Sequence, residues 1–241
     1  MVAILVLLTI LTFLTLDHLA QQRALRNAAV ARAGAPAPSP PRAAWPDPSG
    51  VPAGLFWSPW HTWAHVEPQG AVRVGAGFLP VAALGGVERI DAPAPGTAVR
   101  AGDTVATLYR GSRTIRLRAP VGGVIEATNP RIQGAPRVLG LDPFGEGWLC
   151  SIRPRGLATS LRSLRVAEDA REWLRGEFRR VSDFLSLLRL RDPARVAVAL
   201  ADGGVPVAGF TDALGDREWA ELVERFFDAP APELPSAESM R

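Results

Sequence analysis

Four arginines, Arg110, Arg113, Arg116 and Arg118, fall within nine residues of a 241-residue chain that contains no lysine. Guanidinium groups present planar donor forks that suit carboxylates and phosphates. The cluster therefore has two readings. One is a solvated strand face in an arginine-rich protein; the other is a docking surface for anionic lipid or an acidic protein partner. In the second reading Trp60 and Trp63, together with Trp57, line an edge that receives the partner. The missing lysine rules out any cofactor carried on a lysine amine. His61 and His65 lie four apart at a strand-like spacing with no cysteine ligand nearby in sequence, so no metal is expected there. His61 is expected to be a satisfied structural histidine, and Trp63 a core or groove aromatic. Cys150 is the sole cysteine, which excludes an internal disulfide and a cysteine-cluster metal site. Its surroundings, Trp148 to Ile152, read as a strand, so a packed thiol is expected. Asp202, Asp212 and Asp216 have no paired base or nucleophile and read as turn and cap residues. There is no phosphate loop, nucleophile elbow or zinc spacing. No catalytic, cofactor-binding or metal-binding residue is expected, and the chain is not expected to be an enzyme.

The elements that must position these residues begin with an apolar amino terminus. Val2 to Leu16 is an unbroken run of apolar residues and threonines, extended by Leu19 and Ala20 past Asp17 and His18. As a helix the unbroken part spans roughly 22 Å, and the next turn carries it towards the ~30 Å hydrocarbon core. No basic residue precedes it, and Arg23, Arg26 and Arg32 follow it. An uncleaved anchor is therefore expected over 1–20, inserted once in the inner membrane, with the body of the protein in the cytoplasm. Membrane lipid is then one partner. A net charge of +3 is too mild to argue for nucleic acid.

Residues 21–54 read as a polar helical continuation followed by a proline-rich linker. From about residue 55 to 155, short apolar runs alternate with turn signals such as Pro95-Gly96 and Ala101-Gly102-Asp103. Val72 to Val74 and Thr104 to Leu108 show the period of half-buried strands. An amphipathic helix is expected within 156–190: Val166, Ala170, Trp173, Leu174, Val181, Phe184, Leu185 and Leu188 share one face, with Arg171, Glu172, Arg175, Glu177, Arg179 and Arg180 on the other. Over 191–228 the pattern predicts a β-hairpin from Val196 to Phe210, then a helix from Asp216 to Phe227. Residues 229–241 read as a polar tail.

The ordered set His61-Thr62-Trp63, Gly70 to Gly75, Leu84-Gly85, Pro95 to Gly102, Ala119 to Asn129 and Asp142 to Leu149 resembles the H protein of the glycine cleavage system, over about residues 57–185. The resemblance implies a fold that is mainly β with helices: a lipoyl-type flattened β sandwich, or barrel-sandwich hybrid, whose hairpin displays a modified lysine eight residues before the proline of the Ala-Pro motif. Counting back from Pro120 reaches Ser112, and a serine hydroxyl cannot form the lipoyl amide. The expectation is a non-catalytic, non-lipoylated module without cofactor, anchored to a membrane and serving as a scaffold or accessory subunit of a membrane complex, electron-transfer complexes among them. The alternative is a periplasmic adaptor of an efflux or secretion system. Such adaptors insert a long helical hairpin between two half-motifs, and the interval from Gly102 to Ala119 is too short for one.

Overall fold

The computed structural model describes residues 51–191 and 209–228. The expected anchor over 1–20, the linker up to residue 50, most of the hairpin after Val196 and the tail over 229–241 lie outside the described residues. Among those described, no helix is long and apolar enough to cross a membrane.

The chain is mainly β, with helices. Strands β1 (Phe56–Trp57), β2 (Thr62–Val66), β3 (Val72–Ala76), β5 (Ala98–Val99), β8 (Gly123–Thr128), β9 (Trp148–Pro154) and β10 (Arg165–Val166) form one antiparallel sheet in the order β10-β1-β2-β3-β9-β8-β5. Strands β4 (Arg89–Asp91), β6 (Thr104–Arg110) and β7 (Arg113–Arg118) form the second, in that order. Alternation sets which side chains turn inward. In β7, Ile115 and Leu117 are buried while Thr114 and Arg116 face out. Val74, Ile125 and Ile152 of the large sheet meet Val105 and Ala119 in one apolar cluster; Leu149 meets Leu108, Ile115 and Leu117 in another. Both sheets therefore contribute to common cores.

The helices are α1 (Phe78–Leu84), α2 (Pro130–Gly134), α3 (Val138–Leu141), α4 (Leu157–Arg162), α5 (Ala167–Arg191) and α6 (Asp216–Phe226). The first three interrupt the stretch expected to be wholly β. The helix expected within 156–190 is α5, which bears the apolar stripe; α4 precedes it, and Arg165 and Val166 pair with β1 before α5 begins. Along α5, Ala170, Leu174, Val181, Phe184, Leu185 and Leu188 are buried. Residues 209–213 form turns, so Gly209 and Phe210, the described end of the expected hairpin, are not strand, and α6 follows as expected.

Trp63 sits opposite Gly75 across β2 and β3, and both are buried. A β-carbon at Gly75 would fall inside the Trp63 indole. That ring is held in a cluster with Trp57, Leu55, Ala170 and Leu174 and has no solvent to move into. Gly75→Ala is therefore expected to lower stability by about 1–3 kcal/mol, the usual cost of overpacking a core. Urea denaturation reads it, and an unchanged midpoint would show that the indole swings aside freely.

Candidate functional site

The hairpin of β6 and β7 turns in two residues: Arg110 pairs with Arg113, leaving Gly111 and Ser112 at the apex. Gly111 has a φ of 55°, a left-handed value at the first turn position that glycine adopts without strain. Ser112 is exposed. The apex thus presents a serine hydroxyl between two guanidinium-bearing strands.

What these arginines do follows from a segment distant in sequence. Gly209 donates its N–H to the Ala82 carbonyl at 2.9 Å, and the Thr211 hydroxyl donates to the Ala83 carbonyl. Arg110 donates to the Leu84 carbonyl and to Asp212 Oδ1 at 2.8 Å. Together they satisfy carbonyls at the end of α1, which a helix terminus leaves without intrahelical partners. The approach is close: a β-carbon on Gly85 would stand 2.8 Å from the Gly209 Cα and closer still to Arg110 Nη1, so position 85 requires glycine. Arg113 donates from Nη1 to the Thr211 carbonyl at 2.7 Å and to its hydroxyl at 3.0 Å, and from Nη2 to the Leu214 carbonyl at 2.6 Å. Its guanidinium also lies 4.9 Å from the centre of the Trp219 ring. Arg118 donates to the Gly102 carbonyl at 3.2 Å and reaches Asp228 at 3.3 Å. Arg116 comes only within 3.7 Å of Asp228 and is 62% exposed. Arg110, Arg113 and Arg118 are therefore turned onto the chain's own carboxy-terminal extension, residues 209–228. Neither a solvated strand face nor a free docking surface describes the four together: Arg110, Arg113 and Arg118 form a clamp, and Arg116 alone is mainly in solvent.

Apolar packing completes the clamp. Phe210, Leu214, Leu222, Phe226 and Phe227 are buried in the same cluster as Leu84, Leu108, Ile115 and Phe184. At about 1.5–3 kcal/mol for each large side chain taken out of water, this face holds the extension far more firmly than its exposed ion pairs. The extension is part of the domain. It is not a loosely tethered tail.

The tryptophans divide. Trp57 and Trp63 are wholly buried, so Trp63 belongs to the core and does not line a partner-binding edge. Trp60 is half-buried and lies against the turn at Gly102. Asp212 and Asp216 fall in a turn and in the first turn of α6, as expected of turn and cap residues.

His61 is buried with a φ of 58°. Its carbonyl accepts the Gly77 N–H at 2.7 Å, its ring stacks on Trp173 at 5.1 Å, and Phe227 meets it edge-on at 5.7 Å. The acidic residue beside it is Glu177, whose Oε2 lies 3.5 Å from His61 Nε2 and whose Oε1 accepts from Arg180. Burial alone would raise the Glu177 carboxyl; the neighbouring His61 imidazole and the Arg180 guanidinium outweigh it and hold the group below the usual carboxylate range. Glu177 was expected on the solvated face of the helix and is buried instead. The signal was present: it stands four residues after Trp173 and four before Val181, in register with the apolar stripe.

Among the described residues no group of histidine, cysteine or acidic side chains could hold a metal ion. Cys150 is buried between strands, and burial pushes its thiol up to about 12. At pH 8 the native protein is expected to resist alkylation by iodoacetamide for hours and to react within minutes in denaturant. Rapid labelling of the native form would show that β9 opens.

The Glycine cleavage H-protein family model matches residues 55–177. The glycine cleavage system H protein of Mycobacterium bovis is 34% identical over 105 residues, covering 44% of this chain and 78% of that protein. That of a Psychrobacter species is 33% identical over 121 residues, covering 50% of this chain and 95% of that protein. The crystal structure of a glycine cleavage system H protein from Mycobacterium marinum matches with a TM-score of 0.45 at 29% identity, covering 50% of this chain and 95% of that one. Over the two sheets, α4 and the first half of α5, the chain belongs to the glycine cleavage H-protein family.

Proposed function

We propose that this chain is a non-catalytic, non-lipoylated H-protein-like module, held at a membrane by its apolar amino terminus and acting as a scaffold or accessory subunit of a membrane-associated complex. One observation carries the reading: the chain has no lysine, and the apex of the hairpin, where the family's motif places one, holds Ser112. No change of register supplies an amine, so neither a lipoyl amide nor an aminomethyl group carried on it is available. The clamped hairpin supports the same conclusion. Arg110 and Arg113 tie the β6–β7 hairpin to residues 209–228, whereas a swinging carrier arm is best served by a hairpin free to enter a partner's active site. The positive charges at Arg23, Arg26 and Arg32 favour a cytoplasmic body. An electron-transfer assembly is the first complex to test.

The test is mild-detergent extraction of the tagged full chain from native membranes, with identification of co-purifying subunits and intact-mass measurement. Subunits in fixed proportion and no lipoyl adduct are the expected result. Recovery from the soluble fraction, or a lone monomer in detergent, overturns the accessory-subunit reading. A carboxy-terminal reporter active only in the periplasm would favour the adaptor instead.

A further inference from the structure

We propose that Ser112 is a phosphorylation site, and that a phosphate there unfastens the leading end of the carboxy-terminal extension. The inference stands on the geometry of the apex and does not depend on the scaffold reading.

Ser112 is exposed on a two-residue turn, and its hydroxyl has no hydrogen-bond partner among the described residues. It opens onto a cleft of about 260 Å³ lined by Glu88, Arg110, Gly111, Ser112, Arg113 and Asp212. Two arginines and two acidic residues therefore line the same small space. Their present pairing is incomplete. Arg110 uses Nη1 for both of its contacts, leaving Nε and Nη2 towards solvent. Arg113 spends its donors on the uncharged oxygens of Thr211 and Leu214 and has no carboxylate partner among the described residues. The two arginines are also direct cross-strand partners, an arrangement that is unfavourable for like charges.

A phosphoserine carries close to two negative charges and three strong acceptor oxygens. At the apex it would relieve the Arg110–Arg113 repulsion and take up the unused donors of Arg110. The same charge would repel Asp212, and Glu88, whose Oε2 now accepts the Gly111 N–H at 2.9 Å. Arg110 would exchange Asp212 for the phosphate, and Asp212 would be left beside a dianion. The turn from Gly209 to Leu214 then loses its ionic anchor, while the apolar side of α6 still holds the rest of the extension. In the chemical step, Ser112 Oγ attacks the γ-phosphorus of a nucleoside triphosphate bound by a serine kinase. The Oγ–P bond forms, the bond from the γ-phosphorus to the bridging oxygen breaks, and nucleoside diphosphate leaves with the electron pair. The hydroxyl proton passes to the kinase's base.

The first experiment is mass spectrometry of the full chain isolated from cells that encode it, with phosphatases inhibited. Trypsin would reduce the site to Gly111-Ser112-Arg113, too short to follow, so cleavage after glutamate, giving residues 89–126, is the appropriate digest. The second installs phosphoserine at 112 in the full chain and follows hydrogen exchange. The amides of Gly209, Asp212 and Leu214, bonded to Ala82, Gly209 and Thr211, are expected to exchange about tenfold faster. Those of Trp219 and Phe227 should be unchanged. In Arg110→Gln the same three amides should already exchange fast and ignore the phosphate. Ser112 unmodified in every growth phase overturns the proposal, as does equal exchange with and without the phosphate.

Discussion

Arg113→Ala is expected to lower the unfolding free energy by about 3 kcal/mol, while Arg116→Ala changes it by less than about 0.5 kcal/mol. The two residues share a strand, a charge and a side-chain type, and differ only in what they meet. Arg113 makes three hydrogen bonds to Thr211 and Leu214 and stacks on Trp219. Its removal leaves half-buried carbonyls without a donor, and hydrogen bonds from a charged group contribute about 1.5–3 kcal/mol each before water replaces part of the loss. Arg116 is mostly solvated and reaches Asp228 only at 3.7 Å, the regime in which exposed ion pairs contribute little. Arg113→Lys is expected to lose most of the same stability, because an ammonium cannot span the Thr211 and Leu214 oxygens as a guanidinium fork does. Guanidinium chloride denaturation of the three variants measures all this. Equal losses at 113 and 116 would mean that the cluster acts through net charge and that the clamp does not hold the extension.

The contrast also shows which parts of the protein are legible in sequence and which are not. The alternation of Ile115 and Leu117 against Thr114 and Arg116 is local, and it places β7 and its faces correctly. The turns at Gly70, Gly96 and Gly102 are marked by glycines that the structure holds at φ values near 90°. The stripe along α5 identifies the helix. It is weaker at Glu177, because a charged side chain is assigned to solvent unless a partner is known, and that partner, His61, lies 116 positions away. Short helices are hidden for a different reason. Helix α1 has only seven residues, carries Pro80 in its first turn and is stabilised largely by the burial of Leu79, Ala83 and Leu84. Seven residues are too few for a 3.6-residue period to stand out among strands. The clamp is the least visible feature. No local pattern joins Arg110 to Asp212 or Arg118 to Asp228, since each pairing spans more than a hundred residues. An arginine run on an exposed hairpin looks like a docking surface until the segment that covers it is in place.

The second large effect is expected at the buried contact between α5 and the loop after β1. Glu177→Gln keeps the shape of the side chain and removes its charge, and at pH 7 it is expected to cost about 2 kcal/mol. A hydrophobic replacement of Glu177 alone should cost more, because it also removes the acceptor for Arg180 and the carboxylate beside His61. The pH dependence separates charge from shape. The native carboxyl is held below the usual carboxylate range, so its contribution is present above the unfolded-state value of about 4.3 and disappears as pH falls through the lower native value. The difference between wild type and Glu177→Gln should therefore shrink as pH falls below about 4.3. Urea titrations at pH 7, 5 and 3.5 follow it, and a difference that persists unchanged at pH 3.5 would assign the contact to packing. The location of the pair gives the measurement its wider meaning. Trp173 and Glu177 of α5 and Phe227 at the end of the extension all converge on His61. A charge lost at Glu177 therefore loosens the seam where sheet, helix and extension meet, and the exchange of the Phe227 amide should rise with it. If Phe227 stays protected while the domain loses stability, the extension is held by Arg113 and its apolar face alone, and the buried pair serves only to seat α5 on the sheet.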